Sequence, residues 1–226
     1  MIVAIDGPAG SGKSTVAKLV AKELGFAYLD TGAMYRAVAY LALDTGVDLD
    51  DGLALTDLAN SSPIRFGYLP GEALPSEVFI SNRDVTHKIR TPEVDAVASK
   101  VSTVPGVRHA LVAEQRVIGA QQDTVMEGRD IGTVVFPHAE LKVFLTARPE
   151  VRAQRRLDQN AEKADEGVAP LRHEEVLAQI IERDKQDSER ETSPLAVAEG
   201  ALVLDTSDMS IDEVVEWIAH RARTAH

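Results

Sequence analysis

The sequence predicts an α/β fold, a five-stranded parallel sheet flanked by helices. Three observations predict it. Five short apolar runs (Ile2–Ile5, Phe26–Leu29, Thr124–Met126, Leu141–Leu145 and Ala201–Leu204) alternate with helical patterns, which is the signature of a parallel sheet covered on both faces. The first run passes at once into a glycine-rich turn and then a helix. Asp6-Gly7, Asp30-Thr31 and Glu127-Gly128-Arg129-Asp130 each stand just past a run. In a parallel sheet that is the carboxyl edge, where ligands bind.

The first run, Ile2-Val3-Ala4-Ile5, is rich in β-branched residues and reads as a strand. Gly7-Pro8-Ala9-Gly10-Ser11-Gly12-Lys13-Ser14-Thr15 follows, with Gly7 and Gly12 bracketing four residues before Lys13-Ser14. Glycines let backbone N–H groups turn inward around a phosphate, and the next helix adds its unpaired N-terminal amides. Lys13 is expected to reach the β- and γ-phosphates, and Ser14 to offer its hydroxyl to Mg²⁺. Val16, Leu19, Val20 and Leu24 make the apolar stripe of the helix, and Gly25 ends it.

Phe26 to Leu29 is the second strand, followed by a helix from Ala33 to about Leu43 with Arg36 on its first turn. Leu53 to Ala59 reads as a short helix. Residues 63–85 change character: Ile64 to Tyr68 alternates with period two, Pro70, Gly71 and Pro75 make a turn, and Glu77 to Ile80 is β-like again. This is a small antiparallel excursion, an insertion in an otherwise α/β chain. Pro92 starts a helix to about Thr103, and Pro105 another to about Gln122.

Thr124 to Met126 is the third core strand and runs into Glu127 to Thr133; Leu141 to Leu145 is the fourth. Pro149 opens a helix in which Arg148, Arg152, Arg155 and Arg156 fall on one face. Ala161 to Ala169 is polar and reads as mobile. Arg172 to Arg190 is a long helix with Val176, Ile180, Arg183, Asp187 and Arg190 on an inward stripe. Ala201 to Leu204 is the last strand. Ser210 to Glu213 is a capping box that starts a helix buried through Ile211, Val214, Val215 and Ile218.

Composition bounds the function. The chain has 226 residues, 44% of them hydrophobic, enough for a substantial core. Twenty-four Lys and Arg stand against 36 Asp and Glu, a formal charge of −12, so a nucleic-acid polymer would be repelled. Any anionic ligand must therefore meet a locally positive cleft. The absence of cysteine fits a reducing cytoplasm. No signal-peptide core or membrane-length apolar run is present, and the six histidines show no metal-ligand spacing.

One glycine-rich cradle binds one polyphosphate. Further arginines beside strand ends, Arg36 and Arg129, with Arg183 and Arg190 on the long helix, imply a second anionic group nearby. A phosphorylated small-molecule acceptor suits this better than water does. At this point the chain resembles the bacterial-type cytidylate kinases, among the nucleoside monophosphate kinases. The resemblance rests on Gly7 to Thr15, Asp30 to Arg36, Glu127 to Thr133, and Arg183-Asp184 with Asp187-Ser188 and Arg190. The insertion ending Asn82-Arg83-Asp84-Val85-Thr86, with Ile89-Arg90-Thr91, is also like that family.

The resemblance implies a P-loop kinase fold over one domain, residues 1–226. Its core would be 1–30, 86–147 and 166–226, with a β-containing acceptor-binding region over 31–85 and a mobile lid over 148–165. It implies that ATP, with Mg²⁺, phosphorylates CMP and dCMP; the expected setting, from the composition, is the cytoplasm, and the expected form is a monomer. Arg36, Arg129 and Arg183 would hold the acceptor's phosphate, with Thr31 and Arg190 close by. Ser99, Arg108 and Asp130 would read cytosine, and Asp187 with Arg183 the sugar. Arg152, Arg155 or Arg156 would bring the lid to the phosphates. The alternatives are a UMP or AMP kinase of the same fold, or a P-loop NTPase switch; the latter reads guanine with Asn-Lys-x-Asp, a run this chain lacks.

Overall fold

The computed structural model describes residues 1–69, 71–161, 172–190 and 192–225. Among these the strands form two sheets. The first has five strands in the order β2-β6-β1-β7-β8, and the second is the antiparallel β3-β4-β5. Their ranges are β1 (Ile2–Asp6), β2 (Ala27–Asp30), β3 (Ile64–Tyr68), β4 (Pro75–Ile80), β5 (Arg83–Asp84), β6 (Thr124–Gly128), β7 (Leu141–Thr146) and β8 (Leu202–Asp205). The sequence reading thus places all five core strands and the excursion. The chain divides into two compact units, Met1–Ile2 with Ala21–Glu127, and Val3–Val20 with Gly128–His226.

In the first unit β2 and β6 pair in parallel from Ala27↔Thr124 to Asp30↔Glu127, so both strands end together. The helix α2 (Thr31–Thr45) starts directly on β2 because the Asp30 side chain accepts from the Ala33 amide, and it stops at Gly46 in the left-handed region. Asp51 caps α3 (Gly52–Ser61) in the same way. Thr91 and Pro92 start α4 (Pro92–Val101), and Pro105 starts α5 (Pro105–Gly119). Met34, Val38, Leu55, Ile80, Ile89 and Leu111 anchor one apolar core that joins these helices to the small sheet.

In the second unit β1 pairs with β7 from Val3↔Leu141 to Asp6↔Phe144, and β7 with β8 from Val143↔Leu202 to Thr146↔Asp205. All five residues of β1 are buried, as a strand covered on both faces requires. Three strand ends therefore finish near one another. The glycine-rich loop and α1 (Lys13–Leu24), the start of α6 (Pro149–Ala161), and the turn before α8 (Ile211–Thr224) emerge there. α6 packs on α7 (His173–Glu189) through Ala153, Val176 and Ile180, with Leu157 and Leu177 beside them.

Two expectations are corrected. Leu19 is 39% exposed, while Ala17 and Ala21 are fully buried beside Val16 and Val20; the buried face of α1 is cut from small residues that permit close approach. Ile211 is exposed, and the buried stripe of α8 is Val214, Ile218, Ala219 and Ala222. The stretch after Asp130, to which the sequence assigned no element, makes a single π-type turn over Ile131–Val135, with the Val135 amide donating to the Asp130 carbonyl at 3.1 Å. The polar segment 162–171, which includes the end of the expected lid, lies outside the described residues, as does Pro70 in the excursion.

Candidate active site

The glycine-rich loop hangs between β1 and α1. Lys13 is buried and lies across the loop, its Nζ donating to the Pro8 carbonyl at 2.7 Å, and the Ser11 hydroxyl donates to the same carbonyl at 3.1 Å. Gly7 and Pro8 are buried, Ala9, Gly10 and Gly12 half-buried, and Ser14 and Thr15 exposed at the start of α1. The Val16 amide donates to the Gly12 carbonyl, so α1 has closed its first turn while the amides before it face the loop.

Two arginines of α6 are fixed against this loop and its neighbouring strand end. Arg152 is buried; its Nε donates to the Ala147 carbonyl at 2.9 Å and its Nη1 to the Ala9 carbonyl at 3.0 Å, while its Nη2 lies 2.6 Å from Asp184 Oδ2. A methyl group at Gly10 would stand 3.2 Å from the Arg152 Cβ and carbonyl oxygen, so glycine there permits the approach. Arg155 donates to the Thr206 hydroxyl at 3.0 Å and the Thr206 carbonyl at 2.6 Å. Burial pushes its pKa down, and Asp205 offsets part of that. The four arginines expected on one face separate here. Arg148 forms a bidentate pair with Asp208 at the surface, because it precedes the helix, and Arg156 is exposed.

A second arginine set sits on α7 and the end of β6. Arg129 Nε donates to Asp187 Oδ2 at 2.8 Å, and Arg190 Nη1 lies 3.7 Å from Asp187 Oδ1. Burial works against the Asp187 charge, but Arg129, Arg190 and Arg183 outweigh it and hold its carboxyl below the usual range. The expected stripe is corrected in one respect: Arg183 is exposed, and the inward face runs through Val176, Ile180, Asp184 and Asp187. Asp130 is buried, and its carbonyl accepts from the Val134 and Val135 amides, which aims the residue from a fixed backbone.

Asp6 was not among the expected site residues. Its two carboxylate oxygens accept from the Ile131 amide at 2.9 Å and the Gly132 amide at 2.7 Å, tying the strand that feeds the phosphate loop to the turn that carries Asp130. Burial pushes the Asp6 carboxyl up to about 6, with Asp130 adding to the rise while the two amides and Lys13 resist it. The folded protein then holds this proton more tightly than the unfolded chain. The resulting stabilisation is complete below about pH 4, the usual carboxylate range. It is lost as pH rises through the folded value, by about 3 kcal/mol in all. Thermal melts of wild type and Asp6→Asn across that range should show the wild-type advantage shrinking as pH rises; a constant difference would mean that Asp6 does not titrate there.

In the first unit the end of β2 presents Asp30, Thr31 and Arg36. Asp30 Oδ1 caps α2 through the Ala33 amide at 2.9 Å, and Oδ2 accepts from Arg36 Nη2 at 2.7 Å. Burial disfavours the Arg36 charge, but Asp30, Asp95 and Glu127 outweigh it and raise its pKa. The Thr31 hydroxyl is buried and donates to the Glu127 carbonyl at 2.7 Å. Arg108 is buried on α5, donates to the Ser102 carbonyl at 3.1 Å, and stands 5.5 Å from the Tyr35 ring, a cation–π distance. Ser99 is half-buried on α4.

Sequence reasoning found the arginines but gave no role to two of the carboxylates that hold them, Asp184 and Asp208. Asp184 is the clearest case: it shares a stripe with Asp187, and that spacing was the available signal. Among the described residues no group of three or more His, Cys, Asp or Glu could hold a metal ion. The exposed Ser14 hydroxyl suits a hard cation that arrives on a polyphosphate, because such an ion keeps several waters and takes few protein ligands.

The family model described as cytidylate kinase matches residues 3–224. A cytidylate kinase of Solibacter usitatus is 49% identical over 99% of this chain and 93% of its own length. One from Streptococcus sanguinis is 50% identical over 98% of this chain and 96% of its own. Among solved structures, a shikimate kinase from Bacteroides thetaiotaomicron covers 99% of this chain and 97% of its own at a TM-score of 0.48 and 13% identity. A gluconokinase from Sinorhizobium meliloti gives 0.47 at 15% identity, covering 99% of this chain and 92% of its own. These two likenesses are too slight to bear on the chemistry.

Proposed function

The chain belongs to the cytidylate kinase family, and from that membership we propose that it transfers the γ-phosphoryl group of ATP to the phosphate of CMP and dCMP. The observation that carries the reading is the arginine cluster on Asp187, Arg129 with Arg190. It is separate from the arginines fixed at the phosphate loop. Two independent sets of guanidinium groups suit two phosphorylated ligands, where a hydrolytic switch would need one.

Residue by residue, Gly7 to Thr15 bind the ATP phosphates, with Lys13 on the transferring group and Arg152, Arg155 and Arg156 drawn to it by the lid. The lid spans residues 148–165, of which 162–165 lie outside the described residues, and the acceptor-binding region spans 31–85. Arg36, Arg129 and Arg183 hold the acceptor phosphate, with Thr31 and Arg190 beside them. Asp187 binds the sugar with Arg183. Ser99, Arg108 and Asp130 read the base.

The acceptor phosphate is mostly deprotonated at neutral pH, its second pKa being about 6, so no general base is required. Catalysis comes from in-line positioning and neutralisation of charge. Ser14 would hold Mg²⁺, which would supply neutralisation of the charge on the ATP phosphates. Excluding water on closure protects ATP from hydrolysis. The setting proposed is the cytoplasm, and the working form a monomer.

The test is ATP-dependent phosphorylation of CMP, dCMP, UMP, AMP and GMP, followed by ADP release. Release with CMP and dCMP well above the others is expected; equal ATP consumption with and without a monophosphate would defeat the reading. Cytosine offers an amine where uracil has a carbonyl, so a carboxylate accepts from one and repels the other. Asp130→Ala keeps the backbone carbonyl that holds the π-type turn. It should cut the CMP-to-UMP ratio of kcat/KM by about 10²-fold; an unchanged ratio would remove Asp130 from base recognition.

A further inference from the structure

α7 carries two inward carboxylates three positions apart, about 4.5 Å along the helix axis. Asp187 holds Arg129 and Arg190. Asp184 holds Arg152, which reaches the Ala9 carbonyl of the phosphate loop. Among the described residues Arg152 is the partner of the Asp184 side chain: Oδ2 lies 2.6 Å from it, and the buried Oδ1 has no hydrogen bond. α6 and α7 are packed together by Ala153, Val176 and Ile180, so the helix pair is stiff enough to carry a displacement from one carboxylate to the other.

We infer that Asp184 is a positioning residue that couples the two nucleotide sites, by linking Arg152 at the phosphate loop to the helix that bears Asp187. The inference rests on the proposed function, which puts ATP at the loop and the acceptor at Arg129. An acceptor phosphate arriving at Arg129 competes with Asp187 for the guanidinium. Whatever α7 then does at Asp187, it does at Asp184 three residues away, and Arg152 follows. By reciprocity, ATP at the loop alters the acceptor site by the same factor. Such a link is a physical one, two charge-assisted contacts, Arg129 with Asp187 and Arg152 with Asp184, carried three residues apart on one helix.

The experiment is calorimetric. The Kd of CMP is measured with and without a saturating non-hydrolysable Mg–ATP analogue, for wild type, Asp184→Asn and Arg152→Gln. Wild type should show coupling in the range of about 5- to 150-fold. Asp184→Asn should reduce it below two-fold while leaving the Kd of CMP alone within two-fold. Arg152→Gln should abolish the coupling as well, and adding Asp184→Asn to it should change nothing further. A merely structural Asp184 would weaken both arms together and would act additively with Arg152→Gln. Full coupling in Asp184→Asn overturns the inference. If that variant does not fold, full coupling in Arg152→Gln overturns it equally, and so does a wild type without coupling. A wild type that phosphorylates no monophosphate would fail the proposed function, whereas an active enzyme with coupling intact in both variants fails only the role of Asp184.

Discussion

Lys13→Met should lower kcat for CMP phosphorylation by at least about 10²–10³-fold, the usual effect of removing a group that meets charge developing in the transition state. The substitution is near in shape and removes the charge together with its hydrogen bonds. In the folded protein the Lys13 ammonium donates to the Pro8 carbonyl at 2.7 Å, and Ser11 donates to that carbonyl too. Its loss therefore leaves the carbonyl with a partner, and the cost in stability should stay near about 1 kcal/mol. The affinity for CMP measured without ATP should be unchanged, because the proposed function puts Lys13 on the donor's phosphates. Single-turnover kinetics with calorimetric binding of CMP separates the two effects. A variant that keeps wild-type turnover would remove Lys13 from the transferring group.

Gly7→Ala should cost at least about 4 kcal/mol of stability, in the range reserved for a few named mechanisms. Two of them coincide here. Gly7 has φ of 147°, a conformation that a side chain strains. A methyl group built on it would also stand 2.0 Å from the Leu145 carbonyl oxygen. That oxygen belongs to backbone in β7, which is paired to β1 on one side and β8 on the other, so it cannot step aside cheaply. At about 2–4 °C per kcal/mol for a protein of this size, the melting temperature should fall by roughly 8 °C or more, with insoluble protein as the extreme. Gly200→Ala is the control. Its φ of 72° is also left-handed, but nothing lies within 4 Å of the added methyl. The loss there should be only about 1–2 kcal/mol. Equal losses at both positions would mean that crowding against Leu145 contributes nothing.

How much of this was legible in the residues follows from the range of each signal. Gly7, Gly12 and Lys13 could be singled out because a phosphate-binding loop needs its glycines and lysine within one turn of chain. Gly46 after α2 and Ser210 before α8 are equally local. Arg36 and Arg129 could be singled out because each follows a strand end. Their carboxylate partners divide by distance. Asp30 is six residues from Arg36 and was in view as part of a motif, whereas Asp187 lies 58 residues from Arg129 and no periodicity connects them. Asp6, 125 residues from Ile131, gives no sign in sequence that its oxygens will close the π-type turn. Leu19 shows the opposite failure: period and hydrophobicity marked it for burial, and close helix packing preferred Ala17 and Ala21.

The sequence by itself determined the order of elements along the chain, the glycine-rich loop, the excursion over 63–85 and the supply of arginines, because each is written in spacing, turn chemistry or charge within a few residues. Tertiary structure alone decided which arginines are held and by what. Arg152 is buried on Asp184 while Arg148 spends its charge on Asp208 at the surface. The difference lies in packing, since a guanidinium taken out of water must find a carboxylate brought to it by another element, and one left in water need not.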